Sequence, residues 1–110
     1  MSTISDNQDN QQAVTGAENG VAQSDVYAIA RHYRFQWEEA QQCYVLLFPE
    51  GMIKLNGGAG EVIKRVNGRA SVADIIQEVS QAFPDVPEIA ADVLSMLNLA
   101  VDKAWLEKRN

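Results

Sequence analysis

The chain has 110 residues, a length suited to one domain, and carries 15 acidic against 9 basic side chains for a net charge of −6. Such a balance gives no electrostatic footprint for nucleic acid or an anionic membrane surface, since both call for clustered Lys and Arg. The single cysteine, Cys43, excludes an internal disulfide, a CxxC motif and a thiolate metal cluster. Beside Tyr44, Val45 and Leu46 it reads as an ordinary buried thiol. The N-terminus lacks the basic start and apolar core of a signal peptide, and no run approaches the ~20 apolar residues of a membrane span, so a cytoplasmic protein is expected.

Residues 1–25, MSTISDNQDNQQAVTGAENGVAQSD, contain no Leu, Phe, Tyr or Trp. They hold four of the acidic residues and no Lys or Arg, which leaves the rest of the chain nearly balanced at 11 acidic and 9 basic. Such a segment cannot bury enough apolar surface to offset an ordering entropy of roughly 1–2 kcal/mol per residue. It is expected to be a disordered acidic and polar tail, with one folded domain over residues 26–110. From Arg31 the pattern changes. Tyr33, Phe35 and Trp37 alternate with polar neighbours, the period of a half-buried strand. Glu38 to Gln42 forms a connection, and Cys43 to Phe48, apolar on both faces, is expected as the central strand. Pro49-Glu50-Gly51 turns the chain into a short third strand, Met52 to Leu55.

Helices follow. Asn56 is a good N-cap for a short helix that Asn67-Gly68 stops, and Ser71 with Asp74 forms a capping-box pattern for a second, from Val72 to about Phe83. Pro84 ends that helix, and Pro87 suits the first turn of a third, reaching about Lys103. A three-stranded antiparallel meander followed by three helices is an α+β domain.

Candidate chemistry is thin. His32 is the only histidine and has no second ligand at metal spacing, so no metal site is expected and a partly exposed strand residue is the plainer reading. Glu38 and Glu39 are neighbours in a solvated connection, where their side chains diverge. Ser71 is explained as a cap. The stretch Gly57-Gly58-Ala59-Gly60 opens a helix but lacks the Lys-Ser/Thr of a P-loop, and small residues there let the helix pack close to the sheet. The second helix with its preceding turn also fits a helix-turn-helix with the hairpin as a wing. That winged-helix DNA-binding or regulatory alternative meets an obstacle of charge, because VADIIQEVSQAF carries Asp74 and Glu78 and no basic residue.

What remains is a surface. The third strand is an edge with unpaired backbone groups, although its shortness and its charge at Lys54 are also how a protein blunts an edge. On the third helix, Ala90, Leu94, Leu97 and Val101 form one apolar stripe with Ala104 alongside, and Ile89, Val93, Met96 and Ala100 widen it to roughly 180°, where one packed face needs a little over ~100°. A surplus apolar flank beside a free edge suits an extended peptide. Core packing or a dimer contact would account for the same pattern.

The run YVLLFPEGMIKLNGGAGEVIKRVNGRASVADIIQEVS, with Trp37 upstream and Trp105-Leu106 near the end, closely resembles the PqqD family, pyrroloquinoline quinone biosynthesis protein D. The similarity spans about Arg31 to Leu106, and Tyr44 to Asn56 is its specific part. Gly58 and Gly60 depart from the family pattern, and the acidic tail has no counterpart in it. The resemblance implies a winged-helix-like recognition domain for leader peptides of ribosomally made precursors. It implies a peptide chaperone and adaptor, with no catalytic residue and no cofactor, that binds the precursor peptide PqqA. Its second partner would be PqqE, a radical S-adenosylmethionine enzyme that crosslinks a Glu and a Tyr of the peptide. The guest would add as a strand beside Met52, Ile53, Lys54 and Leu55. It would pack on Ile89, Val93, Met96, Leu97 and Ala100 of the third helix.

Overall fold

In the computed structural model, which describes residues 20–110, the chain forms β1 (Tyr27–Ile29), β2 (Arg34–Glu38), β3 (Cys43–Phe48), β4 (Gly51–Lys54), α1 (Gly57–Ile63), α2 (Val72–Ala82), α3 (Ile89–Asp102) and β5 (Leu106–Lys108). Strands β2, β3 and β4 make the antiparallel meander in that order, with β3 in the centre. Pairing sets Phe35, Leu46 and Ile53 in one row and Trp37, Tyr44 and Leu55 in the next, so the apolar side chains of three strands share one face. The helices cover that face. Leu46, Val62, Ile63, Ile75, Val93 and Leu97 lie in the middle of the core.

Both caps read from the sequence are formed. The Asn56 side chain accepts from the Ala59 amide at 2.8 Å, and Ser71 and Asp74 complete a reciprocal capping box at 3.1 and 3.0 Å. Helix α3 begins two residues after Pro87, and Glu88 before it takes a left-handed φ of 59° with no side-chain cap. His32 lies exposed in the turn before β2, and Cys43 is half-buried.

Helix α1 sits on the sheet at Gly60. A Cβ there would come within 2.9 Å of the Tyr44 ring, so only glycine permits the approach, whereas a Cβ at Gly58 would meet nothing closer than Asn56 Oδ1 at 3.6 Å. Gly58→Ala should therefore stabilise the domain by about 0.4–1 kcal/mol through helix propensity. Gly60→Ala should destabilise it by about 1–3 kcal/mol through overpacking. Thermal melts of the two variants check the opposite signs.

A second, two-stranded sheet pairs β1 with β5. It was not foreseen from the sequence, and it ties the start of the domain to its end. The expected tail at 1–25 falls mostly outside the described residues. Its last residues, however, belong to the domain: the Val21 amide donates to Asn98 Oδ1 at 2.8 Å, and Asp25 is 9% exposed. Asp25 Oδ2 accepts from the Ala22 amide at 2.9 Å and the Tyr27 hydroxyl at 3.1 Å, while Oδ1 faces Lys108 Nζ at 3.3 Å. A composition of small polar residues hides such an anchor, because one buried carboxylate does not alter the average.

The Ala22 amide does most to hold the Asp25 carboxyl below the usual carboxylate range; burial opposes it, and Tyr27 and Lys108 reinforce it. Tyr27 is pushed up to about 12, by burial first and then by the bond to Asp25 and its charge. A depressed carboxyl pKa contributes stability above its unfolded value that is lost as pH falls through the folded one. Asp25→Asn should therefore lower stability by about 1–3 kcal/mol at neutral pH. Its deficit against the parent should shrink below about pH 4, where the parent loses the charge too. Melts across pH 2–7 (~one-unit steps) test this, and a deficit that does not change with pH would contradict it.

Candidate functional site

Strand β4 pairs with β3 on one side only, and among the described residues no strand lies beyond it. The hydrogen-bond phase tells which backbone groups are free. The Leu55 amide donates to the Tyr44 carbonyl at 3.0 Å, and the register pairs Leu46 with Ile53 and Phe48 with Gly51. Bonded and non-bonded pairs alternate in an antiparallel ladder, so Gly51, Ile53 and Leu55 turn their N–H and C=O groups toward β3. Met52 and Lys54 turn theirs outward. Their side chains share the sheet face opposite the helices; Met52 is 42% exposed, and Lys54 Nζ reaches Gln41 Oε1 at 3.1 Å.

A cleft of about 610 Å³ opens three residues beyond Lys54 along the chain, between the start of α1, the end of α2 with its following loop, and the cleft-facing side of α3. Phe83, Val86, Ile89, Met96 and Leu99 give it an apolar lining, with Val93 at its floor. No residue of β4 lines it. Edge and cleft are thus separate surfaces, joined through Leu55 and Asn56.

The residues expected at the site divide accordingly. Met52 and Lys54 are exposed on the edge, Ile53 is half-buried beneath it, and Leu55 is core. Ile89 and Met96 face the cleft. Leu97 and Ala100 are corrected to core positions, fully buried and away from the cleft, and Val93 touches the cleft with no exposed surface. The cause is the width of the apolar arc. A helix with an arc of roughly 180° seats its middle in the core, here Val93, Leu97 and Ala100, and leaves both shoulders at the rim. Leu94 and Val101 form the far shoulder, half-buried, while Ala90 and Ala104 are exposed.

Sequence reasoning missed Leu99, Phe83 and Val86 as cleft residues. Leu99 lies roughly 60° past Met96 at ~100° per residue, among polar neighbours, where a lone leucine is the signal. Val86 stands between Pro84 and Pro87 in a loop, an apolar residue with no helix face to serve. Phe83 is the C-cap of α2 and points past the core, 37% exposed.

The sheet end under α1 carries an aromatic group. Tyr44 stacks on Phe35 at 4.9 Å and takes Trp37 edge-on at 5.0 Å, with Lys64 Nζ 5.7 Å from its ring. Among the described residues no three His, Cys, Asp or Glu gather as a metal site. No described helix is long and apolar enough to cross a membrane.

Comparison with known proteins agrees with the geometry. The family "Coenzyme PQQ synthesis protein D (PqqD)" matches residues 43–106. A protein of Pseudomonas paraeruginosa named PqqA binding protein is 49% identical over 82 residues, covering 74% of this chain and 89% of the relative. One of the same name from Azotobacter vinelandii is 43% identical over 84 residues, covering 76% and 91%. The solution NMR structure of the PqqD truncation of Methylobacterium extorquens PqqCD, a stand-alone recognition element for ribosomally synthesized and post-translationally modified peptides, superposes with a TM-score of 0.65. It is 36% identical, and the match covers 81% of this chain and 96% of that one. The shared fold, an antiparallel meander ending in a free edge and followed by three helices, and the length of the sequence match together place this chain in the PqqD family.

Proposed function

We propose that this chain captures the precursor peptide PqqA as an added strand on β4 and holds it for the radical S-adenosylmethionine enzyme PqqE. The observation that carries this reading is the outward aim of the Met52 and Lys54 backbone groups on an edge whose chain runs on, three residues later, into the wall of an apolar cleft. Main-chain pairing holds an extended guest whatever its side chains are, and pockets then discriminate. The relatives named PqqA binding protein supply the guest's identity. The chain acts by binding, in the cytoplasm, and leaves the chemistry to PqqE, which receives a peptide ordered over its paired stretch and free beyond it. DNA binding gains no support, since α2 presents Asp74 and Glu78 and no Lys or Arg.

Calorimetric titration of the full chain with synthetic PqqA and with a scrambled peptide of equal composition tests the proposal. Saturable binding of PqqA alone is expected, and PqqE should be retained on the immobilised chain more strongly when PqqA is present. Equal binding of both peptides, or none of PqqA, would contradict it.

A further inference from the structure

We infer that the cleft between α1, α2 and α3 is a specificity pocket for a large apolar guest side chain flanked by Lys or Arg, with Asp92 as the carboxylate that reads the base. The inference rests on the strand-addition reading and names what that site selects.

Three observations lead to it. Phe83, Val86 and Leu99 are 37–45% exposed, an unusual display of large apolar side chains, and all three line one cleft. A cleft of about 610 Å³ falls within the ~300–1,000 Å³ that holds small ligands, so it takes side chains and not a folded partner. The third observation concerns charge. Two carboxylates, Glu61 and Asp92, and no basic residue line the cleft. Glu61 is already engaged, 2.9 Å from Arg65 Nη1 and 3.7 Å from Lys64 Nζ. Among the described residues Asp92 has no ion pair and no side-chain hydrogen bond; its backbone N–H donates to the Glu88 carbonyl at 3.1 Å. This carboxylate at the pocket rim has no basic side-chain partner among the described residues, and only the N-terminal end of α3 offsets it. An apolar pocket so charged complements an apolar anchor beside a cation and repels an acidic guest.

Position relative to the edge sets the order along the guest. Three residue steps separate Lys54 from Gly57 at the cleft, at most ~11 Å of chain. A guest running antiparallel to β4 places its N-terminal side at the Lys54 end. The anchor and its basic neighbour therefore belong on the N-terminal side of the paired stretch.

The test titrates the full chain and its Asp92→Asn and Asp92→Lys variants with synthetic PqqA and with PqqA peptides in which each Lys or Arg is changed singly to Gln or to Glu. Asp92→Asn should weaken PqqA binding about two- to five-fold at low salt, the scale of an exposed ion pair, with the loss fading as salt rises. One basic position N-terminal to the paired stretch should lose this sensitivity on change to Gln, and its Glu form should bind Asp92→Lys better than it binds the parent. Asp92 also lies in the first turn of α3, so both variants should melt a few degrees below the parent. The salt-dependent, position-specific change in affinity, which a loss of helix stability would not produce, marks the selecting role. Unchanged affinity for Asp92→Asn at low salt, with PqqA still bound by the parent, would overturn this inference and leave strand addition intact. Failure of the parent to bind PqqA would overturn both.

Discussion

Lys54→Pro is expected to keep its fold and to bind the guest more weakly, whereas Ile53→Pro is expected to be strongly destabilised. Proline removes one backbone donor and adds no charge. At Lys54 that donor points to solvent, so β3 loses nothing, and proline is tolerated on an edge strand when its missing N–H faces outward. The ring then occupies the place where a guest carbonyl would approach. One to two backbone hydrogen bonds at ~0.5–1.5 kcal/mol each give a loss of roughly 0.5–3 kcal/mol, or about two- to 150-fold in Kd. At Ile53 the donor faces the Leu46 carbonyl in the central strand, and the side chain packs against the core. Losing that ladder bond and that packing costs about 3 kcal/mol or more. For a domain of this size that is a fall of about 12–24 °C in Tm. Melting curves and peptide titrations of both variants read the contrast. If both stay folded and bind PqqA as the parent does, strand addition at this edge is wrong.

Two aspartates on α3 should separate core from cleft. Val93 is fully buried between the cleft floor and the core, so Val93→Asp places an unpaired carboxylate among apolar side chains. Uncompensated burial of charge costs several kcal/mol, on top of the ~1.5–3 kcal/mol from the lost valine. A domain of about 90 residues has roughly 5–14 kcal/mol in hand, so the variant should be largely unfolded or molten at 37 °C. Met96 is half-buried at the cleft wall, and its aspartate can reach water. Met96→Asp should melt within about 5 °C of the parent and bind PqqA at least about tenfold more weakly, because it puts a hydrated carboxylate where the apolar anchor would seat. Circular dichroism melts and titrations distinguish the outcomes. A folded Val93→Asp that loses only binding would return Val93 to the groove.

The strands and caps were legible because they follow from local rules: alternation at Phe35 and Trp37, an apolar run at Cys43 to Phe48, side-chain oxygens at Asn56 and Ser71. The β1–β5 sheet was not. Three residues at each end of the domain pair across more than 70 positions, and nothing in either triplet marks the other. The edge was legible as an element, while its hydrogen-bond phase depended on the register of Leu55 with Tyr44, which only three-dimensional pairing supplies. On α3 the amphipathic arc was readable and its rotation was not. Periodicity gives the width of an apolar face; the neighbours α1 and α2 decide which part of it they cover. Leu99 lay outside the arc altogether, since a pocket residue answers to a guest and not to the core.

Backbone hydrogen exchange of β4, followed residue by residue by NMR with and without saturating PqqA, tests strand addition most directly. In the free chain the Ile53 amide should already be protected by its bond to β3, while the Met52 and Lys54 amides exchange freely. With PqqA bound, Met52 and Lys54 should become protected together, each by an acceptor on the guest. Saturated PqqA binding with Met52 and Lys54 still exchanging as in the free chain would contradict the account.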